Sequence, residues 1–118
     1  MKKNTLLALL LTTLSAVSLS AVAGGNIEAG KAAAEKAACF SCHGKDYNSP
    51  IDPSYPKLAG QHKDYIAHAL KAYQHGADAP NGRGNAIMGA QAKALSNADI
   101  ENIAAYLNSL PGSIVMRK

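Results

Sequence analysis

The chain has two cysteines, three positions apart, with a histidine directly behind them: Cys39-Phe40-Ser41-Cys42-His43. Whatever joins both sulfurs limits how the surrounding chain can fold. A disulfide would suit an exported protein but leaves the adjoining histidine unexplained. A thiol–disulfide redox pair belongs in a βαβ setting, and no period-two strand pattern appears in this sequence. A zinc site needs four ligands, and neither a second Cys pair nor a His-x₃-His is present. Covalent haem attachment is the fourth chemistry, and Cys-x-x-Cys-His is its pattern. The thiols stand about one helical turn apart, matching the two vinyl groups on one side of a porphyrin. They add across the vinyls as thioethers, and His43 then lies under the iron with Nε2 free to bind it.

A porphyrin would also answer a shortage in the composition. Of 118 residues 47% are apolar, but residues 1–23 hold 14 of the 56 apolar side chains. Of the 42 that remain, 19 are Ala and only 13 are Ile, Leu or Val. Burial yields roughly 25 cal/mol per Å², and Ala buries little. A domain of this size with so few large side chains is hard to stabilise by its own core, which argues against a self-sufficient globular enzyme.

Residues 1–23 read as an address. Lys2 and Lys3 open it, Leu6 to Leu11 is an apolar run, and Ala21-Val22-Ala23 meets the small-residue rule for signal-peptidase cleavage. Ser and Thr dilute the run, and no basic stop-transfer flank follows, so a retained membrane anchor is the weaker reading. The expected organisation is a cleaved secretory signal peptide, 1–23, and one domain, 24–118. The formal charge is +4, falling to +2 once Lys2 and Lys3 are removed. The basic residues are scattered singly, which is no nucleic-acid footprint.

The remaining chain is read as all-α with long loops. Ile27 to Ala38 is rich in helix formers behind a candidate N-cap, Asn26. Ile27, Gly30, Ala34 and Ala37 or Ala38 share one small-residue face. The stretch from Gly44 to Gln61 is a proline-rich loop. Lys63 to His75 is a helix with Tyr65, Ile66, Ala69, Leu70 and Tyr73 as its apolar stripe and Gly76 beyond its end. Gly76 to Gly89 reads as a second loop. Ser96-Asn97-Ala98-Asp99 resembles a capping box, followed by a stripe of Ile100, Ile103, Ala104, Leu107 and Leu110 and a stop at Pro111-Gly112.

A low-spin electron carrier needs a sixth iron ligand. Met88, Met116, His62, His68 and His75 are the candidates. Met88 stands in a Gly-rich loop and offers a soft thioether that raises the iron's potential. Met116 is in the terminal tail, and His68 and His75 fall on the polar face of the middle helix. His62, at that helix's entrance, is the main rival to Met88. A ligating histidine usually donates its other nitrogen to an acceptor, and the Pro56 carbonyl is one candidate.

Four segments in order are similar to class I c-type cytochromes, most closely the cytochrome c4 and c553 group. They are Cys39-Phe40-Ser41-Cys42-His43-Gly44, Tyr55-Pro56-Lys57-Leu58-Ala59-Gly60-Gln61, Asn85-Ala86-Ile87-Met88, and Leu95 to Ile100 followed by Ile103-Ala104-Ala105-Tyr106-Leu107. The resemblance spans Asn26 to Leu110. It implies a small single-domain cytochrome c fold whose N- and C-terminal helices cross over a covalently bound haem, with Gly30 and Ala34 against Ile103 and Tyr106. It implies thioethers at Cys39 and Cys42, axial ligation by His43 and Met88, and a Pro56 carbonyl accepting from the His43 ring. Cytochrome c4 proper has two haem domains, and one haem motif stands here. Tyr47 occupies a position where relatives commonly have Gly after an Asp.

The expectation is therefore a soluble periplasmic carrier with one haem c, and not an enzyme. It would shuttle single electrons from a quinol–cytochrome c reductase type donor to an oxidase or reductase type acceptor. It would bind no nucleic acid and would not insert stably in a membrane after signal cleavage. A haem-based sensor or small-ligand binder, or an electron-donating subunit of a redox enzyme, is the alternative.

Overall fold

The computed structural model describes residues 24–113. The expected signal segment 1–23, with its expected cleavage point after Ala23, and Met116 lie outside the described residues. Five helices follow in order: α1, Ile27–Lys36; α2, Phe40–His43; α3, Lys63–His75; α4, Ala86–Lys93; and α5, Asn97–Ser109. No strand occurs among the described residues.

The Asn26 side chain caps α1 by accepting from Ala29 N at 2.9 Å. The helix ends two residues before the expected Ala38. Ala38 takes a left-handed φ of 53°, Ala38 N donates to Glu35 O at 3.0 Å, and Cys39 N donates to Ala34 O at 3.1 Å. This pair of bonds is a Schellman motif with alanine where glycine is usual, so composition gave no stop signal. The turn swings the chain out of α1 and directly into the cysteine motif.

The middle helix has its expected bounds, with Gly76 at φ 81° closing it. Its buried residues are Ile66, Ala67 and Leu70, whereas Tyr65 is 51% exposed and Ala69 half-buried. Helix α4 replaces the expected loop over residues 86–89. Asn85 begins it by accepting from Met88 N at 2.8 Å. The capping box of α5 is complete: Asp99 N donates to Ser96 Oγ at 3.0 Å, and Ser96 N donates to Asp99 Oδ2 at 3.0 Å. The bonds that Ser96 N and Ser96 Oγ donate to Asp99 Oδ2 hold the Asp99 carboxyl below its ordinary range.

The molecule is built around α5. Helix α1 crosses it at Gly30, where a Cβ would collide with the Asn102 carbonyl and lie 2.8 Å from Tyr106 Cβ. Asn26 N also donates to Asn102 Oδ1 at 2.7 Å. Ile27 is 47% exposed, so only Gly30 and Ala34 of the expected α1 face are buried. Helix α3 packs on another side of α5 and carries α4. Lys71 Nζ and Glu101 Oε1 pair at 2.7 Å across α3 and α5. The core comprises Ala34, Tyr47, Ala59, Ile66, Ala67, Leu70, Ala92, Ile100, Ile103, Ala104 and Leu107. Five of these eleven are alanine, so the protein's own core is thin.

Candidate haem-binding site

Ala38 delivers the chain into α2, a single turn. Cys39 leads it at φ −55° and ψ −35°, and His43 N donates to Cys39 O at 3.1 Å. Cys39 and Cys42 are half-buried free thiols, and His43 is 7% exposed. Gly44 follows at φ 88°, where a Cβ would collide with the Ser49 carbonyl, so the chain turns tightly away behind the histidine.

The return loop supplies the histidine's partner. Asp46 organises its start by accepting from Asn48 N at 2.9 Å and Ser49 N at 2.8 Å. Ile51 N then donates to Cys42 O at 3.1 Å, which clips the loop to the cysteine turn. This brings the carbonyl oxygen of Pro56 to 2.8 Å from His43 Nδ1. A carbonyl can only accept, so Nδ1 carries a proton, and in the neutral ring the lone pair is then on Nε2. The tautomer is the one a metal ligand needs. The Tyr55 ring lies 6.4 Å from the imidazole, centroid to centroid.

Burial is the main cause that pushes the Cys39 thiol above its ordinary range. A raised thiol favours the uncharged form, which is opposite to the depressed value of a nucleophilic redox cysteine. Among the described residues, no three His, Cys, Asp or Glu side chains come together as a metal cluster. The donor set instead suits haem c: two thiols on one turn, and a buried imidazole with a free Nε2 beside them.

Met88 is half-buried against the core in the first turn of α4. It belongs to a capped helix, not to an open loop as the sequence suggested. His62 is exposed at the N-cap of α3, and His68 and His75 are exposed along α3.

Three features of the site escaped sequence reasoning. Tyr47 is 2% exposed despite a left-handed φ of 54°, and its ring meets Tyr106 edge-on at 5.9 Å. Its carbonyl accepts from Leu58 N and Ala59 N at 2.8 and 3.0 Å, so it braces the segment that carries Pro56. Gln74 Nε2 donates to Ala92 O and Leu95 O at 2.8 and 2.9 Å, fixing the end of α4 to α3. Arg83 lies over Tyr65 and Tyr73, 5.4 and 5.7 Å from their ring centroids. Only the Asp–Tyr pair at 46–47 carried any hint, through its departure from the usual glycine.

A strandless domain with crossing terminal helices and this donor set is the build of a covalent haem domain. The chain belongs to the cytochrome c family, whose pattern matches residues 27–111. It is 43% identical over 82 residues to cytochrome c4 of Stutzerimonas stutzeri, covering 66% of this chain and 39% of that protein. To cytochrome c-554(548) of Halomonas halodenitrificans it is 41% identical over 71 residues, covering 60% of this chain and 82% of that one. The crystal structure of reduced recombinant cytochrome c4 from Pseudomonas stutzeri superposes with a TM-score of 0.64 at 39% identity. That match covers 76% of this chain and 48% of the other. The chain thus spans 39% to 48% of these cytochrome c4 proteins. The described residues have the small single-domain cytochrome c fold, as the sequence led us to expect.

Proposed function

We propose that the protein is a monohaem electron carrier of the periplasm, with haem c attached through Cys39 and Cys42 and with His43 and Met88 as axial ligands. The observation that carries this reading is the buried His43, its Nδ1–H engaged by the Pro56 carbonyl at 2.8 Å. When bound, haem supplies a one-electron Fe(III)/Fe(II) couple. The chain supplies the rest. Cys39 and Cys42 tether the group to one turn. The Pro56 carbonyl fixes the imidazole's tautomer and direction and raises its basicity. Met88 adds a soft ligand, which favours the reduced state.

With His43 and Met88 both committed to the iron, neither side of it would be open to a substrate, so we read a carrier and not an enzyme. Residues 1–23 serve as the export signal and 24–118 as the haem domain. Among the described residues no helix is long and apolar enough to cross a membrane. Phe40 within the cysteine turn and Ile51 clipped to it, 37% and 71% exposed, give a docking edge an apolar character. The partners we propose are a quinol–cytochrome c reductase type donor and an oxidase or reductase type acceptor, in small transient complexes.

The test is the near-infrared methionine-to-ferric charge-transfer band of the oxidised protein. It should be present in wild type and in Met116→Ala and absent in Met88→Ala. A band that survives Met88→Ala would refute the ligand assignment, and rapid CO binding by the wild-type ferrous protein would favour the ligand-binding alternative.

A further inference from the structure

The segment between α3 and α4 is folded back on itself. Gly82 N donates to Ala79 O at 2.9 Å, and a Cβ at Gly82 would collide with the Gly76 carbonyl. A Cβ at Gly84 would lie 2.8 Å from Ala77 Cβ. Arg83, between these two glycines, reaches across to α3. Its backbone N donates to Ala72 O at 2.9 Å, and its guanidinium donates to Tyr65 Oη at 3.3 Å while covering the Tyr65 and Tyr73 rings. Two residues later Asn85 caps α4 on Met88 N at 2.8 Å. Helix α4 is thus tied to α3 at both ends, by Gln74 at its C-terminal end and through Arg83 ahead of its N-terminal end.

We infer that Arg83 is a positioning residue for Met88, a planar strut whose hold on Tyr65 and Tyr73 keeps the 76–85 loop down and the thioether presented. The inference rests on Met88 being the axial ligand. A guanidinium can stack on a ring and donate in its own plane at once, whereas a lysine ammonium offers a point charge on a flexible stem. The strut therefore depends on shape as well as charge.

Imidazole added to the ferric holoprotein at neutral pH is the probe, because it binds iron only when Met88 has moved aside. Its apparent affinity reports the fraction of open protein. Weakening the cation–π contacts to Tyr65 and Tyr73 should raise that affinity about two- to fivefold. The increase is expected in Arg83→Gln and also in Arg83→Lys. Lys71→Ala, which removes the α3–α5 ion pair, controls for general loosening of α3 and should bind imidazole as wild type does. Wild-type affinity in both Arg83 variants would overturn the inference. So would a wild-type value in Arg83→Lys alone, which would leave only a charge effect, or an equal increase in Lys71→Ala. Failure of the ligation reading itself would show separately, as a charge-transfer band that persists in Met88→Ala.

Discussion

Ala38 holds a φ of 53°, a conformation glycine adopts freely and alanine does not. A left-handed alanine costs about 1–2 kcal/mol, partly offset because glycine loses more entropy on folding. Ala38→Gly should stabilise the holoprotein by about 0.5–1 kcal/mol, read as a higher melting temperature. An unchanged or lower value would mean that the methyl group has a packing role. Tyr47 bears a similar backbone cost but buries a whole ring. Burial, its main cause, pushes the Tyr47 phenol up to about 12. An unfolded tyrosine ionises near 10, so between those values the folded state retains a proton that the unfolded state has lost. Stability is then unaffected below about pH 10 and falls as pH rises toward 12. A phenolate absorbance titration should show one of the five tyrosines ionising last, and Tyr47→Phe should remove that step. Ala38 was not legible in the sequence, because an L-residue in a left-handed turn leaves no compositional trace, and Tyr47 was hinted at only by its departure from the glycine common in relatives.

Element by element, legibility followed the strength of local signals. Helices α3 and α5 have an unbroken apolar period, and α5 carries its own capping box, so both were read closely. Helix α4 was missed. Its cap Asn85 is a good start signal, but Gly84 and Gly89 flank the first turn, and glycine in a helix interior costs about 1 kcal/mol against alanine. Its ties to Gln74 and to the Arg83 strut are tertiary and have no sequence period. The close-approach face of α1 was legible from its small residues at helical spacing, while α5 as its partner was implied only by the resemblance to cytochromes c. Gly30→Ala would drive a methyl into the Asn102 carbonyl and should destabilise the holoprotein by about 1–3 kcal/mol in denaturant melts. A neutral result would show that the helices part without loss.

At the scale of the whole molecule, the thin core and the donor set have one explanation. Five of eleven buried apolar positions are alanine, while Phe40, Ile51, Tyr65 and Ile87 remain at least 37% exposed. Those four stand in or beside the cysteine turn, the α3 face under Arg83, and Met88. A covalent macrocycle would add the apolar area that the side chains lack. The Cys39-to-His43 motif was plain in the sequence because its chemistry requires fixed spacing. The support around it, from Ala38 to Pro56, rests on a left-handed alanine and on loop hydrogen bonds to Cys42 and His43 that spacing does not reveal. The chain produced without haem should be largely unfolded by circular dichroism, with no cooperative melt. A compact apoprotein would show that the alanine-rich core suffices.

The most direct measurement is the haem retained per chain after acid–organic extraction of protein exported in a host with a working haem-attachment system. Our account predicts one resistant haem per wild-type chain and none in the Cys39→Ser/Cys42→Ser double variant. Extractable haem, or no haem, on the wild-type chain would contradict it.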